Sequence, residues 1–84
     1  MKNIYAIFDT LAQDTLGGLH LFAHDAQGVR LMMDILKDER TDVARHPGDF
    51  ELRCYGALDT QGIVAETRVI ITAAACKASM EVTE

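Results

Sequence analysis

An α+β fold is predicted, in the order β-β-α-β-β: a mainly antiparallel four-stranded sheet with one helix packed on one face. Three observations carry this. Phe50, Leu52 and Cys54 alternate with Glu51 and Arg53 at the two-residue period of a half-buried strand, between the turn signals His46-Pro47-Gly48-Asp49 and Asp59-Thr60-Gln61-Gly62. Residues 3–10 and 63–72 concentrate β-branched and aromatic side chains. Val29, Met32, Met33 and Leu36 recur at helical spacing.

Taken in order, the first strand carries apolar groups on both faces, Ile4, Ala6 and Phe8 against Tyr5 and Ile7, which is the pattern of an interior strand. Residues 11–18, with Gly17-Gly18, read as a loop, long enough to be mobile and functional. A short second strand over 19–23 then sets Leu19, Leu21 and Ala23 on one face and His20 and Phe22 on the other. Asp25 stands at the N-cap position of a helix from residue 26 to about 39, where its carboxylate can accept from unpartnered first-turn amides. Leu31 and Ile35 widen the apolar stripe, and Arg30, Asp34, Lys37 and Asp38 fall mostly outside it. Gly28 weakens the first turn by up to about 1 kcal/mol relative to Ala, so it marks a close approach to a neighbouring strand.

Residues 40–45 carry mixed charge and read as a surface loop leading into the Pro47 turn. After the Asp59 hairpin, Val64, Val69, Ile70 and Ile71 favour strand to Thr72. The tail from residue 73 is left unassigned, because Ala73-Ala74-Ala75 gives 72–80 helix propensity next to a strand-like run. All 84 residues form one small domain, with no repeat, low-complexity tract or linker to divide it.

Composition narrows the function classes. Thirteen acidic against eight basic residues give a net charge of −5, the opposite of a typical DNA binder. Two cysteines, Cys54 and Cys76, supply neither a disulfide framework nor a four-ligand zinc site and are expected to be buried thiols. The longest apolar run, residues 69–76, is far shorter than a membrane span, and the N-terminus lacks a signal-peptide core. A soluble protein with no membrane partner follows.

No chemistry-bearing constellation emerges. His20, His24 and Asp25 are metal-ligand types, but their spacing spans a strand and a helix cap, so no metal is expected. His46, before Pro47, is read as a turn residue. Asp9, Asp14, Asp49 and Asp59 lack a motif that would oppose an acid to a base, and most sit where turns or strand ends favour Asp. Gly17-Gly18 is not followed by the Lys-Ser/Thr of a phosphate loop, and there is no Gly-x-Ser-x-Gly turn. Neither an enzyme nor a cofactor is expected.

The stretch His46-Pro47-Gly48-Asp49-Phe50, then Leu52, Gly56 and Asp59-x-x-Gly62, resembles the small nonstructural protein of the gokushoviruses, tailless icosahedral phages (Microviridae) with single-stranded DNA genomes. Tyr5-Ala-Ile-Phe-Asp9 looks like that family's opening strand, and Asp25-Ala-Gln-Gly-Val-Arg30 like its helix start, with Gly28 in place of Ala. Roughly the first sixty residues are covered. The resemblance implies an accessory role in phage DNA synthesis, at the switch toward single-strand production and packaging, in the host cytoplasm. It brings no catalytic residues.

Three ways of working fit these features. The first is protein binding, to the phage replication initiator or a host replication protein. The second is direct single-stranded DNA binding, with Tyr5, Phe22 and Tyr55 as stacking surfaces beside Arg30, Arg45, Arg53 and Arg68. A third is a scaffolding role in the virion. One helix leaves the other sheet face open, and Tyr5, Ile7, Phe22 and Tyr55 are expected there. A homo-oligomer, most simply a dimer, is expected through that face and through Ile63, Val64, Val69, Ile70 and Ile71, with Glu66 and Arg68 setting register if the strands meet edge to edge.

Overall fold

A computed structural model of the chain describes residues 1–82. Its four strands are β1 (Lys2–Asp9), β2 (Asp14–Phe22), β3 (Phe50–Asp59) and β4 (Gly62–Thr72). They form one antiparallel sheet in the spatial order β2-β1-β3-β4. Helices α1 (Asp25–Lys37), α2 (Asp42–Arg45) and α3 (Ala73–Val82), with a 3₁₀ turn at Pro47–Asp49, complete an α+β fold. β1 is interior, as its two apolar faces predict. β2 and β4 are the edges.

Two hairpins build the sheet. The Asp9 carboxylate accepts from the backbone N–H groups of Leu11 and Ala12, at 3.0 and 3.1 Å, and Gln13 takes a φ of 57°, so the chain reverses over four residues. Asp59 does the same for Gln61 at 2.7 Å, between β3 and β4. The second strand is therefore longer than its sequence suggests. Gly17-Gly18 lies inside β2, where the register against β1 slips between Tyr5 and Ile7. Glycine signals a bulge there rather than a loop.

The single expected helix is joined by two more on the same side of the sheet. Thr41 caps α2, its hydroxyl accepting from Ala44 N–H at 3.1 Å, and buries Val43 where a loop was expected. Thr72 accepts from Ala75 N–H at 3.1 Å, so β4 turns directly into α3, which resolves the unassigned tail as helix. Ala73 and Cys76 of α3 join Met32 and Leu36 of α1, Val43, and Phe50, Leu52 and Cys54 of β3 in one core. Gly28 fits its reading. A Cβ on it would lie 3.1 Å from Leu52 Cδ2 and 3.5 Å from Tyr5 Cδ1, so α1 rests directly on the two central strands.

The faces of β1 are reversed from expectation. Tyr5 and Ile7 point into the helix-covered core, and Ile4, Ala6 and Phe8 are buried outside that core, on the face without helices. With both sets apolar, period two separates the faces but gives neither a label.

Candidate functional site

The open face can be built from the ladder, because residues directly opposite one another in antiparallel strands share a face. Ile4 lies opposite Leu21 and Gly56, Ala6 opposite Arg53, Arg53 opposite Val69, and Leu58 opposite Ile63. The central layer of Ile4, Ala6 and Phe8 is buried, while Leu19, Leu21, Leu58, Ile63 and Val69 around it stay exposed. Near the β3 start the Arg53 guanidinium carbon sits 3.6 Å above the Phe8 ring centroid, and Arg53 Nε donates to Glu51 Oε2 at 2.6 Å. That bond raises the Arg53 pKa further and holds the cation in place. The arrangement is a largely apolar surface that carries the Arg53–Glu51 pair and, opposite Leu58, the exposed Lys2.

The residues proposed for nucleic-acid stacking do not converge. Tyr5 is fully buried, so it cannot stack on a base without leaving the core, a correction to its expected place on the open face. Its hydroxyl donates to Asp25 Oδ1 at 2.5 Å and accepts from Asn3 Nδ2 at 3.1 Å. Burial first, and the Asp25 carboxylate second, push the Tyr5 pKa up. Phe22 is half-buried against the same core, its ring 5.8 Å from Tyr5 and stacked at 6.1 Å on His20. Tyr55 is half-buried on β3.

The cations are dispersed. Arg30 lies on the outer side of α1, in a shallow groove with Ala26, Val29, Met33, Asp34 and Lys37. Arg45 donates to Asp42 at 2.6 Å on α2. Arg68 lies opposite Cys54, on the helix side, and makes a two-pronged contact with Asp25 at 2.9 and 3.1 Å. The Arg68 pKa is raised by it, and the Asp25 carboxyl is held below its usual range by Arg68 first and by Tyr5 second. Three of the four candidate arginines are thus matched by a carboxylate of their own chain.

Asp25 also departs from the cap role read in the sequence. The N-cap is His24, and the Gln27 side chain accepts from the His24 and Ala23 N–H groups, at 3.0 and 2.9 Å. This frees Asp25 to tie β1, α1 and β4 together. No local signal shows it, because both partners are distant in sequence.

Of the residues expected at an oligomer interface, Ile63, Val64 and Val69 are exposed, at 67, 59 and 51%. Ile70 and Ile71 instead pack against their own chain's core, because β4 turns there toward α3. Both thiols are buried, and burial pushes the Cys76 pKa up. Among the described residues no group of three or more His, Cys, Asp or Glu side chains is arranged to hold a metal.

No curated protein and no solved structure matches the chain. The sequence profile of the family described as Phage ORF5 protein matches residues 2–76, a span that holds all four strands, α1, α2 and the start of α3, and the chain belongs to that family.

Proposed function

We propose that this protein is a non-enzymatic phage accessory factor, acting in viral DNA synthesis at the switch to single-stranded DNA production and packaging, and that it works by binding protein in the host cytoplasm. Membership of a phage family supports the setting, and the resemblance of residues 46–62 to the gokushovirus nonstructural protein supports the step. The observation that carries the binding mode is the open face. Leu21, Leu58, Ile63 and Val69 remain exposed on it around a buried apolar layer, and a surface of this kind marks protein contact. The phage replication initiator or a host replication protein are the partners that fit this step.

The runner-up, direct single-stranded DNA binding, is disfavoured by a net charge of −5 and by the pairing of Arg45, Arg53 and Arg68. Labelled single-stranded oligonucleotide titrated at physiological salt should bind more weakly than about 1 μM, with a shallow salt slope. Submicromolar binding would transfer the reading to the DNA binder. For the viral role, disruption of the gene in a phage genome should let double-stranded replicative DNA form while single-stranded progeny DNA falls. The wild-type chain should rescue it, and Leu21→Asp should not. An unchanged ratio of the two DNA forms would overturn the role, and the chain in purified particles would favour the scaffolding alternative.

A further inference from the structure

β4 is an edge strand of eleven residues, and residues 62–69 are all exposed. It pairs with β3 alone among the described residues, so its outer backbone groups form a template for another strand. The strand reads almost symmetrically about its midpoint. We propose that β4 pairs antiparallel with β4 of a second copy about a two-fold axis through Thr67, joining two four-stranded sheets into one of eight.

In this register Glu66 falls opposite the partner's Arg68, and Arg68 opposite the partner's Glu66. Ala65 meets the partner's Val69, and Val64 the partner's Ile70. Thr67 meets its own copy on the axis, and Thr–Thr pairs are favourable there. The faces agree as well. Ala65 lies opposite Gly56 and Val69 opposite Arg53, both on the open face, whereas Arg68 lies opposite Cys54 on the helix side. The β3–β4 register slips between Cys54 and Gly56, so that Glu66 and Thr67 both face Tyr55. The odd step from Ala65 on the open side to Arg68 on the helix side keeps the alternation: Val64, Glu66, Arg68 and Ile70 on the helix side, Ala65, Thr67 and Val69 on the open side. A two-fold axis normal to the sheet keeps each face on its own side, so every pair from 64 to 70 matches. The register break between Leu52 and Arg53 then brings Ile71 to the helix side and ends the ladder.

The two adjacent registers fail on charge. An axis through Glu66 would oppose two carboxylates, and one through Arg68 two guanidinium groups, which is destabilising in a directly opposed pair. Arg68 is also already ordered by Asp25, through Nη1 and Nη2, and its remaining N–H donors can meet a second carboxylate without further loss of freedom. The other edge offers no such match. Pairing β2 with itself about Gly18 opposes Asp14 to Phe22, Thr15 to Leu21 and Leu16 to His20, with no pair of opposite charges.

Thr67→Cys tests the register, because the two Cβ atoms on the axis would be about 4.5–5.5 Å apart. Under mild oxidation the full chain carrying Thr67→Cys should cross-link to a dimer, while Ile63→Cys, many residues from its own copy, and Leu19→Cys on β2 should not. The native Cys54 and Cys76 are buried and stay out of the reaction. Light scattering of the unmodified chain should climb from 9.3 kDa toward twice that mass over about 1–200 μM, and Glu66→Arg should weaken association about tenfold or more. A mass fixed at 9.3 kDa overturns the proposal, as does equal or faster cross-linking through Ile63→Cys or Leu19→Cys, or indifference to Glu66→Arg. The pairing stands apart from the viral role. A cross-linked dimer in a phage whose DNA forms are unchanged would remove the role and leave the dimer.

Discussion

The two faces of this sheet are built from the same two central strands, yet they are finished in opposite ways. On one, Tyr5, Ile7, Leu52 and Cys54 are sealed by three helices, and a single hydrogen-bonded link from Tyr5 through Asp25 to Arg68 closes the rim. On the other, Ile4, Ala6 and Phe8 are buried with no helix packed over them among the described residues, and Arg53 lies over the Phe8 ring. The difference teaches where each kind of residue is used. Stability is concentrated on the helix side, and the other side keeps its apolar surface available.

The largest effect should come from a glycine of β3 packed against the backbone of β4. Gly56 has a φ of +141°, and a Cβ there would lie 2.1 Å from the Val64 carbonyl oxygen and 3.0 Å from Ala65 Cα. These are backbone atoms and cannot swing aside, so Gly56→Ala must push β4 off β3. A loss of about 4 kcal/mol is expected, comparable to the whole stability of a small domain. Urea denaturation checks it. A Gly56→Ala protein that melts within about 1 kcal/mol of wild type would show that the two strands are not held so closely.

Comparison within the sheet is sharper with a pair of truncations. Leu52→Ala should cost about 3 kcal/mol, because the cavity would be enclosed by Met32, Tyr5 and the helix that rests at Gly28. Phe8→Ala removes a larger side chain but should cost less, about 2 kcal/mol, since its cover is the movable Arg53 side chain rather than a helix. Equal losses by urea denaturation, or a greater loss at Phe8, would mean that the open face is packed as tightly as the core.

Much of this fold was legible in local sequence. The period of Phe50 to Cys54, the Asp59-to-Gly62 turn and the α1 stripe each specify an element through contacts within a few residues, and Gly28 announced the helix contact. What was hidden depends on residues far apart. Gly17-Gly18 looks like loop until β1 supplies a pairing partner, and Val43 looks like part of a charged loop until the core beneath it exists. The label of each face on β1 was undetermined because both sets of side chains are apolar. The place of Tyr5 is hidden for the same reason: an aromatic in a strand has no sequence mark for inside or outside, and its hydroxyl partner lies twenty residues away.

The smallest effect probes the rim where the helix-covered face meets the edge strand. Tyr5→Phe keeps the ring in the core and deletes the hydroxyl, so about 1 kcal/mol should be lost near neutral pH. The pH dependence carries the diagnostic sign. Because Tyr5 is raised by burial and by Asp25, its neutral form is favoured in the folded chain; that contribution is full below the unfolded tyrosine value of about 10 and is lost as pH rises through the folded value. Asp25 runs the other way. Held low by Arg68 and then by Tyr5, it contributes above the unfolded carboxyl value of about 3.9 and loses that contribution as pH falls. Both charged partners of the ion pair are more than a third exposed, at 46 and 41%, so solvent screening limits the acid-side loss to a few tenths of a kcal/mol. Unfolding of the wild type and of Tyr5→Phe should therefore converge as pH rises above the unfolded tyrosine value of about 10, because the wild type loses its advantage there. In acid the mutant should retain most of the decline, since Arg68 still holds Asp25. If the two proteins keep a constant difference from neutral to alkaline pH, the hydroxyl does not bind Asp25 in the folded chain, and the tie between the covered face and β4 is made by Arg68 alone.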